Sequence, residues 1–245
     1  MFSRTRVNIL SFLTASLLLL VVGCGDDDNP ANSDNLTGTV ADIDGNIYQT
    51  VKIGDQWWMA ENLRVTHYRN GDPIPIVTDD GAWSNLTTGA YCNYDNDEDN
   101  ADIYGRLYNW FAVADSRNIA PADWHVATED EWQQLEVFIG INPDTASSIG
   151  RHGTDEGGKL KEVDTTHWHS PNTGATNESG FTALPGGCRD NTAIFLALRE
   201  CSFFWSSEEY NDDRALYRTM WYDESYICCD PYHKRGGFSV RCVQD

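Results

Sequence analysis

Apolar residues recur with the period of a β-strand through the segment 47–53. The dipeptides Asp44-Gly45 and Gly54-Asp55, which are typical of tight turns, lie on either side of this segment. The pattern therefore predicts two successive hairpins. Large side chains at positions 57–59 (Trp-Trp-Met) follow the second turn. We expect them in the core, and an exposed aromatic binding platform is the alternative.

A helical period replaces the strand period between Thr128 and Gly140. Thr128 and Glu131 form a capping-box pair, in which each residue's side chain accepts a hydrogen bond from the other's backbone amide. Acidic residues fill the first turn, where negative charge interacts favourably with the helix dipole. We predict a helix that begins after Thr128 and ends at Gly140. Its core-facing apolar stripe is expected to consist of Trp132, Leu135, Phe138 and Ile139.

A second helical pattern covers residues 104–114, and an irregular segment, 70–100, precedes it. Segments 203–206, 215–221 and 237–243 have the composition of strands. Strands at both ends of the chain and two helices in the middle predict an α+β domain with short antiparallel strands and long loops. The terminal strands of this domain are expected to pair with each other.

The N-terminus has the organisation of a secretory signal, because Arg4 and Arg6 precede an apolar run at 7–22. Small residues and then Cys24 end this run, which resembles the signal peptide and lipobox of bacterial lipoproteins. The resemblance implies a signal peptide at 1–23, cleavage before Cys24 and attachment of lipid to that cysteine. A transmembrane anchor is the alternative, although the run is short for a span.

The segment 24–38 is acidic and polar, and it is predicted to be a lipidated tether. Its aspartates at 26–28 resemble the surface-export signal of Bacteroidetes-type lipoproteins, which implies an outer-membrane protein that faces the cell exterior. An ordinary solvated linker is the alternative. The folded domain is then expected to cover residues 39–245.

Acidic residues outnumber basic ones by 38 to 17, and the formal net charge is -21. A field of this sign repels nucleic acid and anionic lipid headgroups. Nucleic acid is therefore excluded as a partner, and contact with a membrane is expected through the lipid anchor alone.

Six cysteines follow Cys24, and an even number in an oxidising compartment predicts disulfides whose pairing the sequence leaves open. The candidates for pairing are Cys188, Cys201, Cys228, Cys229 and Cys242. Cys92 lies in an acidic segment, where neighbouring carboxylates are expected to raise the pKa of its thiol. We therefore predict that Cys92 is unpaired.

Metal-binding patterns are weak in this sequence. Asp95, Asp97 and Asp99 alternate as the first ligands of a calcium loop do, but the turn glycine and the bidentate glutamate of an EF-hand are missing. The two alternatives are a looser calcium site and a solvated acidic loop. His167 and His169 form a His-X-His pair without an identifiable third zinc ligand. No other cofactor is expected.

Seven segments in order resemble the Fibrobacter succinogenes major paralogous domain family and cover nearly all of the chain after residue 39. They are GNIYQTVKIGDQWWMAENL, YGRLYNWFAVA, DWHVATEDEWQQL, GGKLKE, NESGFTALPGGCR, FFWSSEE and FSVRCV. The family is similar to C-type-lectin-like folds, including the formylglycine-generating-enzyme type, so the resemblance implies a single C-type-lectin-like domain. This sequence has Ala120 where the family commonly has a cysteine, which implies that Cys242 lacks its usual partner. His125 is expected to have a structural role.

The favoured hypothesis is a lipid-anchored cell-surface binding module, and not an enzyme, that recognises glycans or other surface polymers. A protein–protein adhesion or assembly module is one alternative. A formylglycine-generating-enzyme-like oxidase is another, and it would require a reactive pair such as Cys228 and Cys229. The surface discriminates between the binding functions, because a large apolar patch favours protein contact and a groove with aromatic and carboxamide side chains favours sugar.

Overall fold

The computed structural model describes residues 36–245, so the predicted signal peptide, Cys24 and nearly all of the predicted tether lie outside the described residues. The strands of the described part are Thr37–Ala41 (β1), Ile47–Ile53 (β2), Gln56–Met59 (β3), Tyr91–Cys92 (β4), Leu107–Tyr108 (β5), Trp124–Val126 (β6), Gly150–His152 (β7), Gly186–Arg189 (β8), Phe195–Leu198 (β9), Cys201–Asn211 (β10), Arg214–Trp221 (β11), Ile227–His233 (β12) and Cys242–Gln244 (β13). The α-helices are Asp80–Ser84 (α1), Glu98–Tyr104 (α2), Trp110–Val113 (α3), Glu129–Phe138 (α4), Pro143–Ala146 (α5) and Glu156–Leu160 (α6).

A five-stranded antiparallel sheet has the order β1-β2-β3-β13-β6. The two hairpins β1–β2 and β2–β3 turn at the dipeptides Asp44-Gly45 and Gly54-Asp55, as predicted. The C-terminal strand β13 lies in the interior of the sheet, where Val243 is opposite both Trp58 and His125. The C-terminal strand therefore joins the sheet of the N-terminal strands through β3, although β1 and β13 do not pair directly.

Both faces of this sheet are covered by hydrophobic residues. Trp58 and Val243 belong to one buried cluster, whereas their sequence neighbours Met59 and Cys242 belong to another. Adjacent residues of a strand point to opposite faces, so the sheet separates the two clusters. Trp58 and Met59 are fully buried, as expected, and Trp57 is half-buried against the second cluster.

A second antiparallel sheet has the order β10-β11-β12-β7, and the short pairs β4–β5 and β8–β9 lie outside it. Helix α4 packs between the two larger sheets, since Trp132 contacts Trp58 of the first and Phe204 of the second. The fold is thus α+β with mostly antiparallel strands and few helices.

Helix α4 begins with the predicted capping box. Thr128 Oγ1 accepts a hydrogen bond from the amide of Glu131 at 3.3 Å, and the Glu131 carboxylate accepts one from the amide of Thr128 at 2.8 Å. The helix ends at Phe138, shortly before Gly140. Both predicted ends of this helix are therefore confirmed.

The predicted helix at 104–114 is wrong. Helix α2 ends at Tyr104 because Gly105 takes a φ of +78°, and an added Cβ at Gly105 would lie 2.6 Å from Asn62 Cβ. The chain then forms β5, and Asn109 caps the separate short helix α3 by accepting from the amide of Ala112. Close approach of the backbone to Asn62 thus overrides the helical spacing of the apolar residues.

Strand β1 begins at Thr37, two residues before the expected start of the domain, and Thr37 pairs with Val51. The end of the predicted tether is therefore part of the sheet. The irregular segment 70–100 contains α1, β4 and part of α2. Between residues 36 and 245, no helix has both the length and the apolar character needed to cross a bilayer.

A groove between the β2–β3 hairpin and helix α4

A groove of about 690 Å³ lies between the β2–β3 turn, helix α4 and helix α5. The hairpin contributes backbone and side chains of residues 53–56, and the outer side of α4 contributes the opposite wall. Its polar side chains are two carboxylates and three carboxamides, from Asp55, Asp130, Gln56, Gln133 and Gln134. The groove therefore combines the hydrogen-bonding groups and the concave shape of a small-molecule site.

The side chain of Phe138 lines this groove and is 62% exposed, so its predicted place in the core is wrong. Trp132, Leu135 and Ile139 are buried and complete the apolar stripe without it. Gly54 has a φ of +61°, and a Cβ there would lie 3.0 Å from the Phe138 ring. One part of the ring thus rests against the hairpin backbone, while most of its surface faces solvent.

The helix contains a signal for this placement that the hydrophobic pattern hides. Asp130, Gln134 and Phe138 are spaced by four residues, so they form one row on the helix surface. Polar residues at the first two positions of the row indicate a solvent-facing side. The position of the hairpin that completes the groove has no comparable signal, because it depends on tertiary packing.

Hydrogen bonds determine the orientation of the three amides. Gln56 Oε1 accepts from Trp58 Nε1 at 3.1 Å, and Gln56 Nε2 donates to Gln134 Oε1 at 3.3 Å. Gln133 Nε2 donates to Glu129 Oε1 at 3.1 Å. The amide groups of the groove are therefore held in place by neighbours on the hairpin and on the helix.

The opposite side of α4 buries charge. Glu136 and Arg218 are both completely buried, and Arg218 Nε donates to Glu136 Oε1 at 2.6 Å. Both terminal nitrogens of Arg218 donate to Glu129 at 2.7 Å, which makes a bidentate pair. His152 Nε2 lies 3.0 Å from the remaining oxygen of Glu136. Although burial opposes the charged form, this carboxylate raises the pKa of His152.

His125 connects the start of α4 to the C-terminus. Its Nε2 lies 2.7 Å from Glu131, and its Nδ1 lies 2.6 Å from the Asp245 side chain. The Glu131 hydrogen bond, with a further contribution from Asp245, raises the pKa of His125 to about 9. The imidazole is therefore a charged clamp between two carboxylates, with neither nitrogen available as a catalytic base.

The structure contains none of the predicted disulfides among the described residues. All six cysteines between positions 92 and 242 are free thiols. Cys201 lies on β10 and Cys228 on β12, and β11 separates them by two strand spacings, about 10 Å. A disulfide requires Cα atoms within about 7 Å. Cys188 lies in the β8–β9 hairpin and Cys242 within the five-stranded sheet, and neither thiol is bonded to another cysteine.

Adjacent positions on β12 place Cys228 and Cys229 on opposite faces of the sheet. Cys229 Sγ accepts from Arg218 at 2.9 Å, and burial raises the pKa of both thiols to about 12. This is the reverse of the low pKa that a reactive thiolate requires. Burial, and not the predicted acidic surroundings, likewise raises the pKa of Cys92 to about 12.

The three aspartates proposed as calcium ligands do not converge. Asp97 caps α2 by accepting from the amide of Asp99 at 3.1 Å, and Asp95 lies in the preceding 3₁₀ turn. His167 pairs with Glu162 and His169 lies near Glu200. Across residues 36–245, no group of three or more histidine, cysteine, aspartate or glutamate side chains is close enough to hold a metal ion.

The fold and the groove define an α+β domain with one mixed polar and aromatic cleft on the outer side of its longest helix. The family model of the Fibrobacter succinogenes major domain matches residues 51–244. The chain therefore belongs to this family, in agreement with the sequence motifs. Neither the curated proteins nor the solved structures include a significant match.

Proposed function

We propose that the protein is a lipid-anchored, cell-surface module that binds carbohydrate in the groove, and that it is not an enzyme. The observation that carries this proposal is the exposed ring of Phe138 beside three oriented amides. Sugar rings have an apolar face that packs on aromatic rings and hydroxyls that exchange hydrogen bonds with amides and carboxylates. The groove offers both kinds of contact within one concave surface.

The proposed location follows from the sequence. Lipid on Cys24 would hold the domain at the outer membrane, and the acidic segment behind it favours display on the cell exterior. The C-type-lectin-like assignment of the fold belongs to this proposal, and the resemblance of the motifs to such folds supports a carbohydrate ligand. The proposed carbohydrate binding requires neither calcium nor another cofactor.

Charge narrows the class of glycan. Asp55 and Asp130 line the groove, and the whole chain has a formal net charge of -21. Acidic polysaccharides and nucleic acids would be repelled by this field. The proposed ligands are therefore neutral glycans of cell surfaces or cell walls.

A glycan and cell-wall polymer binding screen with the full chain, in detergent and with or without calcium, tests the proposal. The variant Phe138→Ala should weaken binding of any hit by at least about tenfold, because the stacking surface is lost. Tyr210→Ala is the matched control, since Tyr210 is another exposed aromatic residue, 52% accessible, that lies outside the groove. Unchanged binding by Phe138→Ala would contradict the proposed site.

An adhesion or assembly module is the second candidate, and one observation favours it. Ile194 and Leu196 are about half exposed beside and on β9, which pairs only with β8 among the described strands. Open strand edges with apolar side chains can pair with another chain. Sedimentation velocity of the wild type and of Leu196→Lys tests this function: self-association that the lysine abolishes would support it.

A further inference from the structure

The three amides of the groove present an ordered set of donors and acceptors. Because Gln134 Oε1 accepts from Gln56, the Nε2 group of Gln134 is left to donate to a ligand. Because Gln133 Nε2 donates to Glu129, the carbonyl oxygen of Gln133 is left to accept. Within the described part of the chain, these two atoms make no other hydrogen bond. A donor and an acceptor thus lie on consecutive residues of the same groove wall.

Apolar groups lie beside this pair. Val137, Pro143 and Ala146 line the same groove, and they offer a surface on which a methyl group can be buried. Asp55 and Asp130 add further acceptors but no donor when ionised. The wall therefore combines amide donors, among them both N–H groups of Gln134, with several acceptors and an apolar patch.

We infer that the groove recognises an N-acetylated hexosamine, such as a residue of a neutral N-acetylglucosamine polymer. This inference rests on the proposed carbohydrate-binding function. An acetamido group has a carbonyl oxygen for Gln134 Nε2, an N–H for Gln133 Oε1 and a methyl group for the apolar patch. A plain hydroxyl at the same carbon has no methyl and a single oxygen, so it satisfies fewer of these groups.

Gln56 is the positioning residue in this arrangement. Its Oε1 accepts from the indole of Trp58, which is buried in the core, so its Nε2 is directed to Gln134. A glutamate at position 56 would keep the indole contact but could only accept from its other oxygen. Gln134 would then turn its Nε2 towards residue 56 and its oxygen into the groove. The Gln134 Nε2 donor would then face residue 56 and no longer the acetamido carbonyl.

Titration calorimetry of the full chain in detergent with tetra-N-acetylchitotetraose, called chitotetraose below, and with cellotetraose tests the inference, because the two differ only at carbon 2 of each sugar. Chitotetraose should bind at least about tenfold more tightly. Equal affinities would overturn the N-acetyl inference but leave carbohydrate binding intact. Absence of binding to chitotetraose would also overturn it. If the glycan screen finds no ligand either, the proposed function fails as well.

Three single substitutions separate positioning from general charge effects. Gln134→Glu and Gln56→Glu should both reduce the preference for chitotetraose to less than about threefold, because the first removes the Gln134 donor and the second turns it away from the ligand. Gln49→Glu adds the same charge at an exposed site on β2 outside the groove, and it should keep the full preference. An unchanged preference in Gln134→Glu, or an equal loss in Gln49→Glu, would overturn the assignment.

Discussion

The two sides of helix α4 have opposite relations to the usual hydrophobic pattern. The inner side buries Glu136 against Arg218, while the outer side exposes Phe138 to solvent. A buried charge is tolerated only when it is paired and hydrogen-bonded, and the bidentate Glu129 contact supplies the second partner of Arg218. The charged inner side therefore serves the fold, whereas the core does not require the exposed aromatic ring on the outer side.

Departures from the hydrophobic pattern therefore have different consequences on the two sides of α4. Substitution of an inner charged residue leaves its partner without compensation and should affect stability. Substitution of an outer residue removes few intramolecular contacts and should affect binding alone.

The largest effect is expected from Arg218→Met. Glu136 and Glu129 would lose their guanidinium partner, and breaking a buried ion pair in this way should lower the free energy of unfolding by about 3–5 kcal/mol. Urea denaturation followed by tryptophan fluorescence measures it. Arg235→Met is the control, because Arg235 is a half-buried arginine that donates to the backbone carbonyl of Ser84. A loss below about 1 kcal/mol would show that the inner charges are dispensable.

A smaller effect is expected from Thr128→Ala, which removes the hydroxyl of the capping box. Loss of an N-cap should lower the free energy of unfolding by about 0.5–2 kcal/mol. The same denaturation experiment gives the value, and Thr128→Ser should retain most of the stability because it keeps the hydroxyl. If serine and alanine were equally destabilising, the hydrogen bond would not be the cause.

The pH dependence of stability should contain a contribution from His125. Its pKa is about 9 in the folded protein and 6.5 in its ordinary state, so the folded form binds the proton more tightly. The stabilisation is therefore complete below pH 6.5 and is lost as the pH rises to about 9. The melting temperature should fall more steeply with rising pH across this range for the wild type than for His125→Gln. Parallel curves would rule out the clamp.

The smallest effect on stability is expected from Phe138→Ala. Because the ring is 62% exposed, its removal should change the free energy of unfolding by about 0.5 kcal/mol or less. Denaturation of this variant beside Trp132→Ala makes the comparison, since Trp132 is fully buried and should cost about 3–5 kcal/mol. A Phe138 effect as large as that of Trp132 would place the ring in the core after all.

Local signals predicted the parts of the fold that local chemistry controls. The turn at Asp44-Gly45 and the capping box at Thr128 form as expected, because a few neighbouring residues determine them. The segment after Tyr104 was mispredicted, because Leu107 and Tyr108 suit a strand and a helix equally and the contact with Asn62 decides between them. Such a contact between distant residues has no local signature.

The sequence alone does not predict the groove. The residues on α4 could be grouped by their spacing, but the contribution of Gln56 depends on the β2–β3 hairpin folding against the helix. The exposure of Phe138 was hidden because Trp132, Leu135 and Ile139 already fill the stripe that faces the core. Cysteine pairing also depended on the relative positions of strands, which an even count of thiols does not specify.

The position of β13 between β3 and β6 also determines when this chain can fold. Strand β13 comes more than 100 residues after β6, so the five-stranded sheet stays divided until this distant segment is available. Contacts between such distant parts of a chain form slowly. We therefore expect the five-stranded sheet to close after the local hairpins β1–β2 and β2–β3 have formed.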